Sequence, residues 1–291
     1  MLNRVAIIGL GLLGGSMGLA LQRARLAQEI VGYDMGQGVS ESACAIGAID
    51  RSYNSLDDAV RGAEIVILAT PVGAMNALLR NLASLVASGT IITDVASTKA
   101  QVVQWAETYL PSTVHFVGGH PMTGKEASGV EVADVELFHQ CIYCLTPTPN
   151  TQVVALNKVV ALVEVLNARA WYLEPEEHDK QVASISHLPF VASSALMNTI
   201  AHDATWRNAG LLAAGGFRDM TRLAAGSPTM YRDICITNKE AITSLLDSYI
   251  HELQQLRDEI AQPDGQPYKT FDEAHQLRLQ WQFLRDFPEQ S

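Results

Sequence analysis

The chain has 291 residues, which is more than one ordinary compact core accommodates and is typical of two domains. Hydrophobic residues make up 48% of it and charged residues 18%, so the composition predicts packed cores and excludes extensive disorder. The formal net charge of −11 excludes the basic surface that nucleic-acid binding requires, and an anionic ligand would need a few local cations or helix amino-termini.

Cysteine content and the length of apolar runs indicate the cellular setting. Four cysteines are too few for a disulfide scaffold and fit a reducing compartment. Cys141 and Cys144 form a C-x-x-C pair in a strand-like segment, but the sequence has no second pair to complete a zinc site, so we expect no metal. We find neither a cleavable leader pattern nor an apolar run of the roughly 18 residues that a membrane helix needs. We therefore expect a cytoplasmic protein without membrane association.

Short β-branched runs alternate with helical stretches in the first part of the chain. The predicted strands, in chain order, are RVAII, EIVGY, AEIVILAT, TIITDV, VHFVGG, CIYCLT and ARAWYL. Such alternation is typical of βαβ units. It predicts an α/β fold, a Rossmann-type doubly wound parallel sheet covered by helices.

Beyond Pro175 the pattern changes to the 3.6-residue periodicity of helices. The segments that show it are HDKQVASISHL, NKEAITSLLDSYIHELQQLRDEI and FDEAHQLRLQWQFL. The proline and the acidic residues after it suit the first turn of a helix. The sequence therefore predicts an α/β domain over residues 1–174 and an all-α domain over residues 175–291.

The longest helical segment carries an apolar stripe. Its residues are Ile242, Leu245, Leu246, Tyr249, Leu253 and Leu256. One small helical domain cannot cover a stripe of this length, so we expect the all-α domain to form a twofold homodimer with interlocked helices.

The first predicted strand runs into a glycine-rich turn that a helix follows. The turn reads Gly9-Leu10-Gly11-Leu12-Leu13-Gly14. In this fingerprint the first glycine permits a sharp turn, the second lets the backbone approach a pyrophosphate, and the third lets the helix pack on the strand. A strand before the turn and a helix after it make this a predicted dinucleotide site, with Gly9, Gly11, Leu12, Leu13 and Gly14 at the cofactor.

The second predicted strand ends at Asp34, about where this fold places an acidic residue on the adenosine ribose. A carboxylate there would repel a 2′-phosphate, and MGQGVS downstream offers no arginine to bind one, so NAD is predicted over NADP. The alternative is a solvated loop aspartate. Thr70 and Pro71 end another strand at the same edge of the sheet, where ligands gather.

Two later strands end in polar clusters, DVASTK from Asp94 to Lys99 and GGHPMTG from Gly118 to Gly124. In a doubly wound sheet both clusters open onto the crevice that holds the nicotinamide. His120 is then placed to handle a hydroxyl proton while hydride leaves the same carbon. The alternative is a histidine that only caps a strand end.

Six blocks along the chain are similar to those of the prephenate and arogenate dehydrogenase family of tyrosine biosynthesis. They are GLGLLGGS, ATPV, DVASTK, GGHPMTGKEASGV, ISHLP and GGFRDMTR. The histidine and GFRD blocks are fairly specific, whereas many dehydrogenases share the glycine fingerprint. The resemblance implies NAD-dependent oxidative decarboxylation by a homodimer, of prephenate to 4-hydroxyphenylpyruvate or of arogenate to tyrosine.

The resemblance also implies roles for individual residues. His120 would hydrogen-bond the ring hydroxyl and stabilise the forming carbonyl, with Ser97 helping to orient it. Arg218 would hold a substrate carboxylate, and His187 and Glu126 would line the pocket near the side chain. Because loss of carbon dioxide makes the ring aromatic, the protein need only position substrate and NAD and stabilise the carbonyl, without a metal.

Some residues of the helical domain have simpler explanations. His187 lies on an apolar helix face, where a lone histidine is more often structural. Arg218 follows two glycines and could cap a helix or pair with Asp219. His178 and Asp179 are interpreted as helix-start residues outside the site, since carboxylates favour a first helical turn.

Two other functions remain open from the sequence. A β-hydroxyacid dehydrogenase of the same two-domain build would use a lysine of the helical domain, and Lys180 is placed for this but lacks the expected glycine and asparagine neighbours. A non-catalytic NAD-sensing protein would leave His120, Ser97 and Arg218 without a role. The sequence also leaves open the choice between prephenate and arogenate, the strictness of NAD over NADP, and inhibition by tyrosine.

Overall fold

The computed structural model describes residues 1–125, 127–263 and 267–286. An eight-stranded sheet has the order β3-β2-β1-β4-β5-β6-β7-β8. Its strands are β1 (Leu2–Ile8), β2 (Ala27–Tyr33), β3 (Arg51–Ser52), β4 (Ile65–Leu68), β5 (Ile91–Asp94), β6 (His115–Pro121), β7 (Ile142–Thr146) and β8 (Arg169–Tyr172). The order reverses between β1 and β4, so the crevice at their carboxyl ends is where a doubly wound sheet binds its ligand.

The predicted fold class is confirmed, but the sheet is only mostly parallel. Neighbouring strands are parallel except β6 and β7, which are antiparallel. A parallel return needs a crossover, usually an α-helix. The described part of the β6–β7 connection holds a short 3-10 turn at Val130–Val132, so the chain turns back beside β6. The short strand β3 was not predicted.

Helices cover both faces of the sheet. They are α1 (Leu12–Ala24), α2 (Val39–Ala45), α3 (Leu56–Val60), α4 (Val72–Leu82), α5 (Ala100–Tyr109) and α6 (Val153–Val165). Val5 and Ile7 pack in one core with residues of α1 and α6, while Ala6 and Ile8 pack in a second core with α4 and α5. A strand buried on both faces must be apolar at every position, which explains the continuous run in β1.

The remainder of the described chain is helical. Its helices are α7 (Pro175–Val182), α8 (Leu188–Ala201), α9 (Trp206–Ala209), α10 (Gly215–Thr221), α11 (Pro228–Thr237), α12 (Lys239–Ala261) and α13 (Tyr268–Asp286). A π-helical turn, Ala183–His187, lies between α7 and α8. Such turns are frequent at functional sites. No helix in the described ranges is long and apolar enough to span a bilayer.

Contacts within the chain define two compact units, Met1–Ile242 and Thr243–Ser291. The first contains the sheet and helices α1 to α11. The second contains most of α12 and α13, which are joined by a hydrogen bond from Thr270 Oγ1 to Glu259 Oε2 at 2.9 Å. The division predicted after residue 174 follows the end of the sheet at Tyr172 and lies inside the first unit, so as a domain boundary it stays a prediction.

Candidate active site

The glycine-rich turn between β1 and α1 has the geometry of a phosphate-binding turn. Gly9 has a φ of +93°, which side-chain-bearing residues rarely adopt, and a Cβ there would lie 2.6 Å from a backbone carbonyl oxygen of the loop after β4. A Cβ on Gly14 would overlap the carbonyl oxygen of Gly9, whereas one on Gly11 would meet nothing within 4 Å. The turn therefore leaves open space before the amino end of α1, where Leu12 and Leu13 begin the helix and backbone N–H groups can bind phosphate.

Asp34 lies beside this turn, just after β2. Its Oδ2 accepts a hydrogen bond from the backbone nitrogen of Leu10 at 2.7 Å, and its Oδ1 accepts one from Gly36 at 2.7 Å. These bonds hold the carboxylate at the end of β2, from which it can accept bonds from ribose hydroxyls. Thr70 and Pro71 follow β4 on the other side of the β1–β4 crevice and lead into α4.

His120, near the carboxyl end of β6, contacts His178 of α7. Nδ1 of His120 lies 2.9 Å from Nε2 of His178, and the two rings meet edge to face with centroids 5.1 Å apart. His178 is completely buried and His120 largely buried. The structure thus joins the predicted catalytic histidine to a residue that the sequence analysis left outside the site.

The carboxylate of Asp179 determines which nitrogens of these two rings carry hydrogen. It accepts bonds from the backbone nitrogens of Lys99 at 2.7 Å and Ala100 at 2.9 Å, and it lies 2.8 Å from Nδ1 of His178. Since a carboxylate only accepts, Nδ1 of His178 donates and its Nε2 accepts. Nδ1 of His120 must then donate to His178. Nε2 of His120 is left with a free lone pair, which is the tautomer of a general base.

A buried ion pair holds the strand that carries His120. Nζ of Lys99 contacts the carboxylate of Asp94 and donates to the carbonyl oxygen of Gly119 at 2.7 Å. The other oxygen of Asp94 accepts a bond from the backbone nitrogen of Gly119 at 3.1 Å. Burial lowers the pKa of Lys99, and the Asp94 carboxylate opposes that effect. Both backbone polar groups of the residue before His120 are therefore held in place, which limits the freedom of the imidazole.

The surroundings of His120 keep its ring neutral. Burial lowers the pKa of His120 well below its ordinary value of 6.5, and the proximity of His178, Lys99 and His187 adds to the effect because a positive charge on His120 is unfavourable beside these groups. At neutral pH the imidazole is therefore unprotonated, and its free nitrogen can receive a proton.

His187, at the end of the π-helical turn, is held by Asn238 at the end of α11. Nδ2 of Asn238 donates to the backbone carbonyl oxygen of Asp179 at 2.7 Å and lies 3.1 Å from Nδ1 of His187. Because a carbonyl oxygen only accepts, the amide nitrogen must face it, and its second hydrogen goes to His187. Nδ1 of His187 accepts and Nε2 carries the hydrogen. Burial lowers the pKa of His187 to about 4, so this ring is also neutral.

Two of the other predicted site residues, Ser97 and Arg218, lie in the described parts of the chain. Ser97 is half-buried in the segment between β5 and α5. Arg218 lies on α10 with 79% of its side chain exposed and its Nε 3.5 Å from Asp219, the pairing that the sequence allowed as an alternative. Glu126 lies outside the described residues. Within the described ranges, no group of three or more His, Cys, Asp or Glu side chains could hold a metal ion.

Three residues that the sequence analysis did not place in the site belong to this arrangement. His178 and Asp179 do begin a helix, but they are buried and hydrogen-bonded around His120 and the start of α5, so their interpretation as helix-start residues alone is corrected. The signal for them was a histidine next to an acidic residue just after the last strand. Asn238 had no comparable signal, because it joins the site from another helix.

Family models cover most of the chain. A model described as "Prephenate dehydrogenase, nucleotide-binding domain" matches residues 17–172, and one described as "Prephenate dehydrogenase, dimerization domain" matches residues 174–273.

Curated relatives match over nearly the whole chain. Prephenate dehydrogenase of Bacillus subtilis is 38% identical over 268 residues, which cover 91% of this chain and 72% of the relative. Cyclohexadienyl dehydrogenase of Zymomonas mobilis is 32% identical over 280 residues, 95% of each chain.

Solved structures of similar proteins agree with the fold. Prephenate dehydrogenase from A. aeolicus, in complex with hydroxyphenyl propionate and NAD+, has a TM-score of 0.88 at 30% identity and covers 96% of this chain and 98% of its own. Synechocystis arogenate dehydrogenase has a TM-score of 0.76 at 30% identity and covers 99% of this chain and 100% of its own.

Proposed function

Because the chain belongs to the prephenate dehydrogenase family, it is a decarboxylating oxidoreductase, and we propose that it oxidises prephenate or arogenate with NAD. The observation that most supports this is the series of hydrogen bonds from Asp179 through His178 to His120. That series leaves a neutral acceptor nitrogen on His120 near the carboxyl end of β6, where a doubly wound sheet places its chemistry.

The nucleotide-binding residues fit a dinucleotide without a 2′-phosphate. The open space at Gly11 and the amino end of α1 would receive the pyrophosphate. Asp34 would accept hydrogen bonds from the ribose hydroxyls, and its charge would repel a phosphate there. NAD, when bound, supplies the acceptor for the hydride.

His120 would handle the proton of the reaction. As the hydride leaves the hydroxyl-bearing ring carbon, Nε2 of His120 takes the hydroxyl proton and the C–O bond becomes a carbonyl. The Asp179 carboxylate, acting through His178, stabilises the imidazolium that forms. The ring carboxylate then leaves as carbon dioxide, its bonding electrons pass through the ring to oxygen, and His120 returns the proton to the phenolate. Substrate and NAD are thus converted into phenol, carbon dioxide and NADH without a net proton.

The substrate is an anion and the chain has a net charge of −11, so local donors must hold it. We assign a substrate carboxylate to Arg218, whose exposed guanidinium is free to reorient from its pairing with Asp219. Ser97, near the end of β5, would help to orient the ring hydroxyl. Glu126 and His187 would contact the side chain.

NADH formation with prephenate and arogenate, each offered with NAD and NADP, tests this function. His120→Asn should lower kcat by about 10² to 10⁴ and leave KM nearly unchanged. His115→Asn is the matched control, since His115 begins the same strand and is also partly buried, and it should retain activity. Absence of NADH with both substrates, or full turnover by His120→Asn, would overturn the proposal.

The position of Lys180 disfavours the alternative function as a β-hydroxyacid dehydrogenase. Lys180 is exposed, whereas the preceding residues His178 and Asp179 are buried in the site. A general acid or base must lie within hydrogen-bond reach of the substrate, so the exposed position of Lys180 disfavours that reaction.

The chain contains a dimerisation domain by family, and we propose that it forms a homodimer. In the unit formed by Thr243–Ser291, Leu253, Phe271 and Trp281 are each about half exposed. Uncovered apolar residues of this size mark a surface that a partner covers. Light scattering at micromolar concentration should give twice the mass of the chain, and a monomer would contradict the proposal.

A further inference from the structure

We propose that Asn238 and His187 make this enzyme selective for a 2-oxo acid side chain, so that prephenate is its substrate in preference to arogenate. The inference rests on the proposed function. The two candidate substrates share the ring, its hydroxyl and its carboxylate, and they differ where one side chain carries a carbonyl oxygen and the other an ammonium. A carbonyl oxygen accepts hydrogen bonds and an ammonium only donates them.

His187 offers a donor that nothing in the described chain uses. The residue is 1% exposed, and its Nε2 has no hydrogen-bond partner among the described residues. A buried donor without an acceptor is unfavourable, so it indicates a ligand that satisfies it. Both rings are linked to the Asp179–His178 segment, His120 through its contact with His178 and His187 through Asn238, which bonds the Asp179 carbonyl oxygen. The unused donor therefore belongs to the same site as the proposed base.

Asn238 fixes the polarity of this donor. Its amide nitrogen has two hydrogens, and both are engaged, one with the carbonyl oxygen of Asp179 and one with Nδ1 of His187. The hydrogen of the neutral ring is thereby confined to Nε2. A ligand atom that meets Nε2 must be an acceptor.

The two buried carboxylates of the described site, Asp179 and Asp94, already receive hydrogen bonds from this chain. Both oxygens of Asp179 receive hydrogen bonds, from the start of α5 and from His178. Both oxygens of Asp94 are engaged by Lys99 and the backbone. An ammonium that faced Nε2 of His187 would meet a donor instead of an acceptor, which is unfavourable once the ammonium has lost its water.

Substitution of Asn238 by Asp should reverse this selectivity. A carboxylate at this position accepts from His187, which moves the ring hydrogen to Nδ1 and leaves Nε2 as an acceptor. The wild-type enzyme should show a kcat/KM for prephenate at least about 10-fold above that for arogenate, and Asn238→Asp should lower that ratio by about 10-fold or more, mainly through KM.

Thr237→Val is the matched control. Thr237 is the neighbouring buried residue, and its hydroxyl bonds to Thr98 rather than to a histidine. This variant should keep the wild-type ratio of the two kcat/KM values. Thermal melting measures the stability of both variants. If Asn238→Asp and Thr237→Val lose similar stability and only Asn238→Asp changes the ratio, the change is not an effect on folding.

A second measurement uses the wild-type enzyme alone. Nitrogen NMR of labelled histidine, with His187→Gln to assign the signal, should show His187 with hydrogen on Nε2, and 4-hydroxyphenylpyruvate should bind more tightly than tyrosine. Hydrogen on Nδ1, a preference for arogenate, or an unchanged ratio in folded Asn238→Asp would overturn the inference. In each of those three cases, formation of NADH from prephenate or arogenate would still support the proposed function. If neither substrate gives NADH, the proposed function itself is refuted.

Discussion

Replacement of Asp179 by Asn tests whether its carboxylate sets the tautomers of the two histidines beyond it. The carboxylate receives hydrogen bonds from the backbone nitrogens of Lys99 and Ala100 and from Nδ1 of His178. An amide of the same shape keeps one acceptor oxygen and has an NH2 group in place of the other. In either orientation this NH2 group faces a backbone N–H at the start of α5.

The expected magnitudes follow from these contacts. One buried N–H loses its acceptor, which should cost about 1 to 3 kcal/mol of stability. When the amide turns its NH2 group toward His178, Nδ1 of His178 becomes the acceptor, both rings exchange their hydrogens, and Nε2 of His120 becomes a donor. In the other orientation the charge that stabilises the imidazolium is lost. The first effect removes general-base catalysis and the second weakens it, so kcat should fall by as much as about 10² to 10⁴.

NADH formation gives kcat and KM, and a thermal melt gives the stability of the same preparation. KM should change little, because Asp179 acts through His178 and is not assigned to the substrate. Asp50→Asn is the control, since Asp50 also accepts a backbone hydrogen bond, from Ile30 at 2.7 Å, but lies away from the histidines. A folded Asp179→Asn enzyme with kcat within about threefold of wild type would refute the role assigned to the Asp179 carboxylate.

Four further predictions concern cofactor choice, stability and substrate binding. Asp34→Ser with Met35→Arg should raise kcat/KM with NADP and lower it with NAD, because a guanidinium replaces a repelling carboxylate; a native preference for NADP would contradict the role of Asp34. Gly14→Ala should lower the melting temperature, since its Cβ would overlap a backbone carbonyl oxygen at a cost of about 1 to 3 kcal/mol, and an unchanged calorimetric melt would refute this. Arg218→Ala should raise KM roughly 10- to 150-fold with a smaller change in kcat, because a charged hydrogen bond of about 1.5 to 3 kcal/mol is lost. An unchanged KM would show that Arg218 does not bind the substrate. Burial lowers the pKa of His187 from 6.5 to about 4, so the stability that depends on its neutral ring is present above pH 6.5 and is lost as the pH falls toward 4. The melting temperatures of wild type and His187→Gln should therefore converge as the pH is lowered. A constant difference between the two melting temperatures would contradict a buried neutral ring.

Structural features that depend on residues close together in the sequence were predictable from it. The strands from β1 to β8 other than β3 were anticipated, because β-branched runs that are apolar at every position suit a sheet covered on both faces. The glycine-rich turn was anticipated because its backbone needs glycine within a short stretch of sequence: Gly9 has a φ of +93°, and a Cβ on Gly14 would overlap the carbonyl oxygen of Gly9. The antiparallel direction of β7 was not predicted. It depends on the connection between β6 and β7, whose described part contains a short 3-10 turn in place of a crossover helix, and the pattern of apolar residues in a strand does not show this.

The sequence by itself therefore determined the α/β sheet and its glycine-rich turn, and it pointed to the candidate histidine His120. Only the tertiary structure decided what that histidine can do. Its partner His178 lies 58 residues away, and Asn238 lies 59 residues from the Asp179 carbonyl oxygen that it bonds. Contacts of this kind arise when separate elements pack, and no periodicity or motif encodes them. The proton positions follow from those contacts, because a ring nitrogen donates or accepts according to the atom that faces it.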